Sequence, residues 1–595
     1  MNARTVFSVL EETVAQQGAA AALHQPKGGG KYTIYSWIDY RTAVIEIALG
    51  LADLGVVHGD IVAIQSETRA EFYLADMAIM SIGAISAGLY ASYPAIDQVK
   101  NLRVCGARVL IVEDAAQMAA LANAMKTNPL PIEFVLIEGK VEGARTLDGL
   151  RAKGRQMLVA DPAAFTKLAS RVAPQDPAIL YLTSGATGEP KMGLATHGSI
   201  TMNIDMGPAV LPLGPADRAL VFLPSAHIAQ RVVMQLLMMR MAVPCWFSES
   251  LARMPSELKT LKPTFMLAPP RVWERIYASI KTEVNKKGGF TQKLFFGALG
   301  LGLKAAEYRQ RGERVPGWLA TSLGLADKVI FTKLRERLGN SIRVAISGAA
   351  PLGRDTAMFF DAIGMPITEG YGLTEGGVLT MNPVGRQIYG TIGKPLAGVE
   401  VKLAEDGELL IKSPSLFSGY FNDPSATASI MRDGWLATGD IASIDAAGYV
   451  SITGRKKEIL ASSSGKKIYP SRVEALFKRE SLISQMILVG DRLPFVTALF
   501  TINPAVAETL PGMEEYHGKP FSEAKPIDER LRRAVKEANA TLPEWEQIRK
   551  FRVLDRDFSV ETGELTPTMK VRRGKVLDNF KTEIAALYGG REESH

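Results

Sequence analysis

Short apolar runs alternate with helix-length amphipathic stretches through most of the first 390 residues. Ile61-Val62-Ala63-Ile64 and Arg108-Val109-Leu110-Ile111-Val112 read as buried strands, while Tyr40 to Leu54 and Ala70 to Ala84 carry the apolar spacing of helices. That alternation predicts parallel α/β layers. From about Gly390 to Gly454 the pattern shifts to short strands and turns, as in Val399-Glu400-Val401-Lys402-Leu403 and Glu408-Leu409-Leu410-Ile411-Lys412, which predicts a smaller β-rich lobe. The most apolar longer segment, Val232 to Phe247, is broken by Gln235 and Arg240 and contains Pro244, so it reads as buried core and not as a membrane span. There is no internal repeat, and the one glycine-rich tract is the short loop Lys27-Gly28-Gly29-Gly30-Lys31.

Composition narrows this picture modestly. A chain of 595 residues exceeds what one core usually supports, so at least two domains are expected. The 69 Lys and Arg against 62 Asp and Glu leave a net charge of +7 spread over a large surface, too dilute to indicate nucleic-acid binding but suited to anionic ligands. Cys105 and Cys245 stand far apart, so neither a disulfide framework nor a zinc site is indicated. Glu11 and Glu12 fall where a signal peptide needs its apolar region, and cytoplasmic residence is expected.

The most informative chemistry lies in Tyr181-Leu182-Thr183-Ser184-Gly185-Ala186-Thr187-Gly188-Glu189-Pro190-Lys191, which follows the strand-like run Ala178 to Leu182. Gly185 and Gly188 can adopt conformations that turn successive backbone N–H groups toward one anion, Thr183, Ser184 and Thr187 add hydroxyl donors, and Lys191 adds charge. It reads as a phosphate cradle, although an ordinary turn between strands has the same composition. It is not a P-loop, because Leu460, Met513 and Met569 stand where that pattern needs a glycine before Gly465, Gly518 and Gly574. Downstream come Tyr371-Gly372-Leu373-Thr374-Glu375, then Gly434 to Asp440 with Gly454-Arg455-Lys456-Lys457-Glu458, and finally Gly563-Glu564-Leu565-Thr566-Pro567-Thr568-Met569-Lys570. Taken singly, each has a bland reading: a helix cap, a turn aspartate, a surface cation, a solvated lysine beside Arg572, Arg573 and Lys575.

In that order, over more than 380 residues, the four motifs resemble the signatures of the adenylate-forming superfamily, with Ala186 in place of a hydroxyl residue and Met192 before Gly193 as departures. The resemblance implies an α/β fold, with layered subdomains and a β-rich lobe in a large N-terminal domain (1–455) and a mobile α+β C-terminal domain (456–595). It implies phosphate contacts from Thr183, Ser184, Gly185, Thr187, Gly188 and Lys191, and adenine contacts from Gly348, Ala349, Pro351, Tyr371 and Gly372. It further implies a hydroxyl on the α-phosphate from Thr374, magnesium on Glu375, and ribose on Asp440 with Arg455. Lys570 would serve adenylate formation, Lys457 would be the hinge, and Gly465 would border the coenzyme A tunnel.

Phe222 to Arg231 and Pro269 to Tyr277 look like long-chain acyl-CoA synthetases, which makes His227 a substrate-site candidate; a structural histidine remains the other reading. Ser225 stands where that family usually has an apolar residue. Residues 285–338, with the apolar stretch Leu294 to Leu303 and the basic helix-like Asp327 to Leu338, resemble an insertion of long-chain members. The stretch is too short to span a bilayer, which needs roughly 20 apolar residues. It would lie at a membrane surface or pack on its own domain. The implied activity is a two-step ligase using ATP, magnesium and coenzyme A on a fatty carboxylate. Its rivals are a ligase that loads a carrier protein, one for an aryl or bulky acid, and a catalytically silent nucleotide sensor. Oligomeric state is left open.

Overall fold

The computed structural model describes residues 3–183, 191–462, 466–566 and 569–589. The fold is α/β, with a large N-terminal part and a smaller C-terminal one. Two sheets with parallel centres form the larger part. In the eight-stranded sheet, Ile61–Gln65 lies between Ile85–Leu89 and Val109–Val112, all parallel and buried on both faces. Pro177–Thr183 continues this sheet in parallel, then turns back as Lys191–Thr196, the antiparallel pair ending with Thr183 opposite Lys191. The 184–190 segment between them, with candidates Ser184, Gly185, Thr187 and Gly188, lies outside the described residues, as do the Thr183 side chain and Gly465.

The nine-stranded sheet runs in parallel through Ala21–Pro26, Cys245–Phe247, Ala219–Val221, Phe265–Ala268, Val344–Ser347 and the first half of Ile367–Leu373. The second half of Ile367–Leu373 pairs antiparallel with Gly377–Met381, so Thr374 and Glu375 occupy a hairpin turn and not a helix start. The expected helices form at Trp37–Asp53 and Ala70–Ser81. The first is opened by a capping box in which Ser36 Oγ accepts from the Asp39 N–H and Asp39 returns the bond. Its Gly50 lets Leu147–Ala160 cross closely, because a Cβ there would lie 2.4 Å from the Leu150 carbonyl oxygen.

The β-rich lobe is a five-stranded antiparallel sheet built on Trp435–Ile444, which pairs with Glu408–Lys412 on one side and Val450–Arg455 on the other. Beyond it, Ile483–Val489, Val496–Ile502 and Ile548–Val553 make a separate three-stranded sheet. Its two buried apolar clusters draw only on residues from Leu460 onward.

Two segments refine the pattern-based reading. Val232 to Phe247 is core, but its first part belongs to a π-helix, Gln230–Leu237. Its polar residues are buried: Arg231 pairs with Asp76 and donates to Ser86 at 2.9 Å, Gln235 donates to Asp76 at 2.8 Å, and Gln230 to Tyr73 at 2.8 Å. The basic stretch Asp327 to Leu338 is three short pieces, π-helix Asp327–Phe331, α-helix Thr332–Arg335 and 3-10 helix Glu336–Leu338.

Candidate active site

A cavity of ≈ 1280 Å³ opens where the two large sheets, the β-rich lobe and the C-terminal sheet meet. Motifs scattered over the chain converge on it. The hairpin after Ile367–Leu373 contributes Tyr371, Gly372, Thr374 and Glu375, and the turn after Val344–Ser347 contributes Gly348, Ala349 and Pro351. Asp440, Arg455, Lys570 and His227 complete the set.

Asp440 and Arg455 face one another because they are register partners on adjacent antiparallel strands. Arg455 Nε lies 2.8 Å from Asp440 Oδ1, and Tyr371 Oη donates to Asp440 Oδ2 at 2.5 Å. Burial raises the Asp440 pKa despite these two partners, and it drives the Tyr371 phenol well above its ordinary value. The tyrosine is therefore a neutral donor that orients the carboxylate, and Asp440 retains acceptor capacity for a sugar's hydroxyls.

Lys570 projects into the open cavity, where water reaches it although protein surrounds it on most sides. This confinement, reinforced by Arg455, lowers its ammonium to about 8, while Asp440 and Glu375 pull the other way. It is borne on a hairpin closed by the Leu565–Val571 bridge, with Thr566 N–H donating to the Lys570 carbonyl at 2.8 Å and Lys570 N–H to Thr566 Oγ1 at 3.0 Å.

Glu375 accepts from Tyr420 Oη at 2.6 Å. Gly419–Tyr420 pairs with Lys191–Thr196, and Lys191 Nζ lies 5.0 Å from the Tyr420 ring centroid. Lys191 thus stands beside the tyrosine that holds Glu375. Among the described residues no group of three or more His, Cys, Asp or Glu could enclose a metal ion. A lone carboxylate is the donor set expected for a cation that keeps its waters and shares substrate oxygens.

His227 Nδ1 accepts from the Ala229 N–H at 3.2 Å, which leaves the proton on Nε2. Burial, aided by Lys570, lowers its pKa to about 3, so the ring is neutral and able to donate but not to act as a base near neutrality. Ser225 is buried and donates to Thr68 at 3.1 Å.

Several contributors carried no role in the sequence. Glu369 lies under the Gly348 to Gly353 turn, accepts from the Leu352 N–H at 3.0 Å, and is raised by burial to about 7. From the C-terminal side, Lys478 Nζ donates to the Pro351 carbonyl at 2.5 Å and lies 3.5 Å from Glu274. Ala349, at φ 71, takes the left-handed conformation within this doubly held turn. Glu564 sits fully buried at the base of the Lys570 hairpin. Burial alone would raise its pKa, but both nitrogens of the Arg556 fork, with Asn579 and Thr562, hold it at about 2. Glu564 stood within a quoted motif; Tyr420 and Lys478 had no signal of their own.

On another side of the same cavity Ile204, Leu211, Val232, Val233, Leu237 and Val378 present apolar surface. The arrangement thus joins an apolar compartment to a ribose-competent carboxylate, a carboxylate suited to magnesium and a lysine from the C-terminal part. A carboxylic acid and a nucleotide phosphate can meet between them.

The chain belongs to the AMP-binding enzymes: it matches that family over residues 10–421 and the AMP-binding enzyme C-terminal domain over residues 457–592. Among its relatives are the long-chain-fatty-acid–CoA ligases FadD15 of Mycobacterium bovis and Mycobacterium tuberculosis, each 35% identical over 96% of both chains. In fold it is similar to the anthranilate CoA ligase AuaEII in complex with anthranoyl-AMP, with TM-score 0.74 at 20% identity, covering 98% of this chain and 99% of that one.

Proposed function

We propose that this chain joins a long-chain fatty acid to coenzyme A in two steps through an acyl-adenylate. The observation that carries the reading is the convergence of Tyr371, Asp440, Arg455, Glu375 and Lys570 on a cavity that is apolar on its other side. The 35% identity to ligases named for long-chain fatty acids over nearly the whole chain supports that acid class.

In the first step a carboxylate oxygen of the acid bonds to the α-phosphorus of ATP as the α–β anhydride bond breaks and pyrophosphate leaves. Asp440 and Arg455 hold the ribose, Tyr371 and the Gly348 to Pro351 turn flank the adenine, and Thr374 reaches the α-phosphate. The 183–191 loop receives the β- and γ-phosphates. Lys570 supplies positive charge where negative charge shifts between carboxylate and phosphoryl oxygens. Magnesium would be held by Glu375, with Tyr420 orienting it, and would offset charge on the departing pyrophosphate. In the second step the coenzyme A sulfur bonds to the acyl carbon, the bond to AMP breaks, and the thiol proton passes to solvent. The mixed anhydride is already activated, so no protein nucleophile is required. Between the steps the unit from residue 456 onward rotates about Lys457, withdrawing Lys570 and bringing the Gly465 loop to the acyl group.

The test is pyrophosphate release from MgATP with acetate, octanoate, palmitate and a cinnamate, with and without coenzyme A. Palmitate turnover that rises with coenzyme A is expected. Adenylate accumulating regardless of coenzyme A would identify a carrier-loading ligase, cinnamate preference an aryl ligase, and silence throughout a nucleotide sensor. Lys570→Ala should lower adenylate formation by about a hundredfold or more while sparing thioester formation from supplied acyl-adenylate; equal loss of both would overturn its role.

A further inference from the structure

Among the described residues, fifteen large apolar side chains are well exposed, and six of them fall between residues 290 and 329. Phe290 (79% exposed), Leu294 and Phe296 belong to helix Gly289–Gln310, Trp318 and Leu325 (68%) to helix Gly317–Ala326, and Val329 to the π-helical turn that follows. The longer helix is not loose. Its inward side buries Phe295, Ala298, Leu299 and Ala306 in the core of the second sheet, and Gly302 meets Ala362 so closely that a Cβ would lie 2.5 Å from the carbonyl oxygen. Packing on its own domain therefore accounts for one face of the helix and leaves the outward one unexplained.

The two outward faces are continuous. Phe290, Leu294, Gly297 and Lys304 follow one another at helical spacing, and Lys304 Nζ lies 5.4 Å from the Trp318 ring centroid on the neighbouring helix. Trp318 and Leu325 stand two turns apart on that helix's exposed side. The charges around this face are predominantly basic; of the acids nearby, Asp327 pairs with Arg335 at 2.6 Å and Glu313 with Arg311 at 3.0 Å. No acid occurs between Glu283 and Glu307, whereas Lys286, Lys287, Lys293 and Lys304 do, and all four are exposed; Lys328 and Lys333 extend the series. A second copy of this face would set lysines against lysines, so self-pairing is disfavoured by charge. Long basic side chains beside exposed Phe, Leu and Trp are instead the composition of helices that lie in a lipid interface.

We infer that the outward faces of Gly289–Gln310 and Gly317–Ala326 form a docking surface for an anionic lipid bilayer. Phe290, Leu294, Trp318 and Leu325 enter the interfacial zone while the lysines meet headgroup phosphates. The inference rests on the fatty-acid reading above only for its purpose, since that substrate partitions into lipid; the surface itself is argued from exposure and charge.

The experiment is co-sedimentation of the full chain with phosphatidylcholine vesicles containing about one-third phosphatidylglycerol, and with pure phosphatidylcholine vesicles. Binding to the anionic vesicles is expected, weakened by salt. Phe290→Ser/Trp318→Ser/Leu325→Ser and Lys293→Glu/Lys304→Glu should each reduce it by about tenfold or more. All five residues are exposed and outside the cavity, so turnover of dissolved octanoate should be unchanged in both variants. Wild-type protein that stays in the supernatant, variants that bind as wild type does, or concentration-dependent self-association abolished by the same substitutions would each overturn the proposal. A chain that binds vesicles but activates no acid would refute the enzymatic reading and leave the surface standing.

Discussion

The Asp440–Arg455 pair and Lys570 share one cavity but are held there in opposite ways. The pair is fixed by the register of two long strands, and moving either partner means breaking the ladder between them. Lys570 rides a seven-residue hairpin on a unit with its own sheet and its own core, anchored through one buried carboxylate. The residues suited to holding a nucleotide are built into the larger body, and the lysine sits on a part with its own core. On the two-step function proposed above, this division lets the lysine be withdrawn between reactions while the nucleotide contacts stay in place.

The sharpest way to break the contrast is to loosen the hairpin while leaving the lysine. Glu564→Ala strands the Arg556 guanidinium and should lower adenylate formation by about tenfold to a hundredfold, because a misplaced charge loses most of its effect. Thioester formation from supplied acyl-adenylate should persist; a parallel loss of both half-reactions would show that Glu564 merely holds the fold.

A smaller effect is expected from pH. With its pKa lowered to about 8 in the unliganded chain, Lys570 loses its proton as pH rises through that value. The first half-reaction under limiting ATP and acid should fall above pH 8, and this limb should vanish in Lys570→Arg. The stability counterpart lies at the acid end. Glu564, held at about 2 in the folded chain against about 4.3 when unfolded, contributes stability above the unfolded value, and that contribution is lost as pH falls toward 2. Glu564→Gln should therefore flatten acid denaturation followed by circular dichroism in that window.

The smallest effect should come from one contact between the two parts. Lys478→Met removes the bond to the Pro351 carbonyl and the approach to Glu274. It should raise the KM for ATP a few-fold in adenylate formation, less than a buried charge-assisted hydrogen bond is worth, because the lysine is partly exposed and acts only through the turn, and leave the second half-reaction untouched. An unchanged KM would mean that the Gly348 to Gly353 turn is held from below by Glu369 alone.

How much of this could be read in advance follows the same division. Strand placement, the β-rich lobe and the motif residues were legible because periodicity and short spacings are local properties of the chain. That Asp440 meets Arg455 was legible as order, but their direct opposition depends on a bulge between Ile441 and Ala442 that no spacing shows. Tyr420 on Glu375 and Lys478 on Pro351 join residues 45 and 127 positions apart, with nothing local to announce them. Gln235 reads as an interruption of an apolar run, and Arg231 stands just before it; their partner Asp76 lies about 155 residues earlier, and only the fold makes burial of these polar groups tolerable. The insertion was readable as apolar and basic, but not which side of its helix would face outward.

That π-helix, Gln230–Leu237, also changes what it means to vary the cavity wall. Its polar residues reach Tyr73 and Asp76 while Val232, Val233 and Leu237 line the cavity, and this assignment holds only with the extra residue that a π-turn accommodates. Removing one residue would rotate every later side chain by about 100°, taking Gln235 off Asp76 and turning later wall residues away from their present places. For a lineage exploring new substrates, the wall is therefore inherited as a reading frame of side chains, more easily altered by substitution within the frame than by any change in its length.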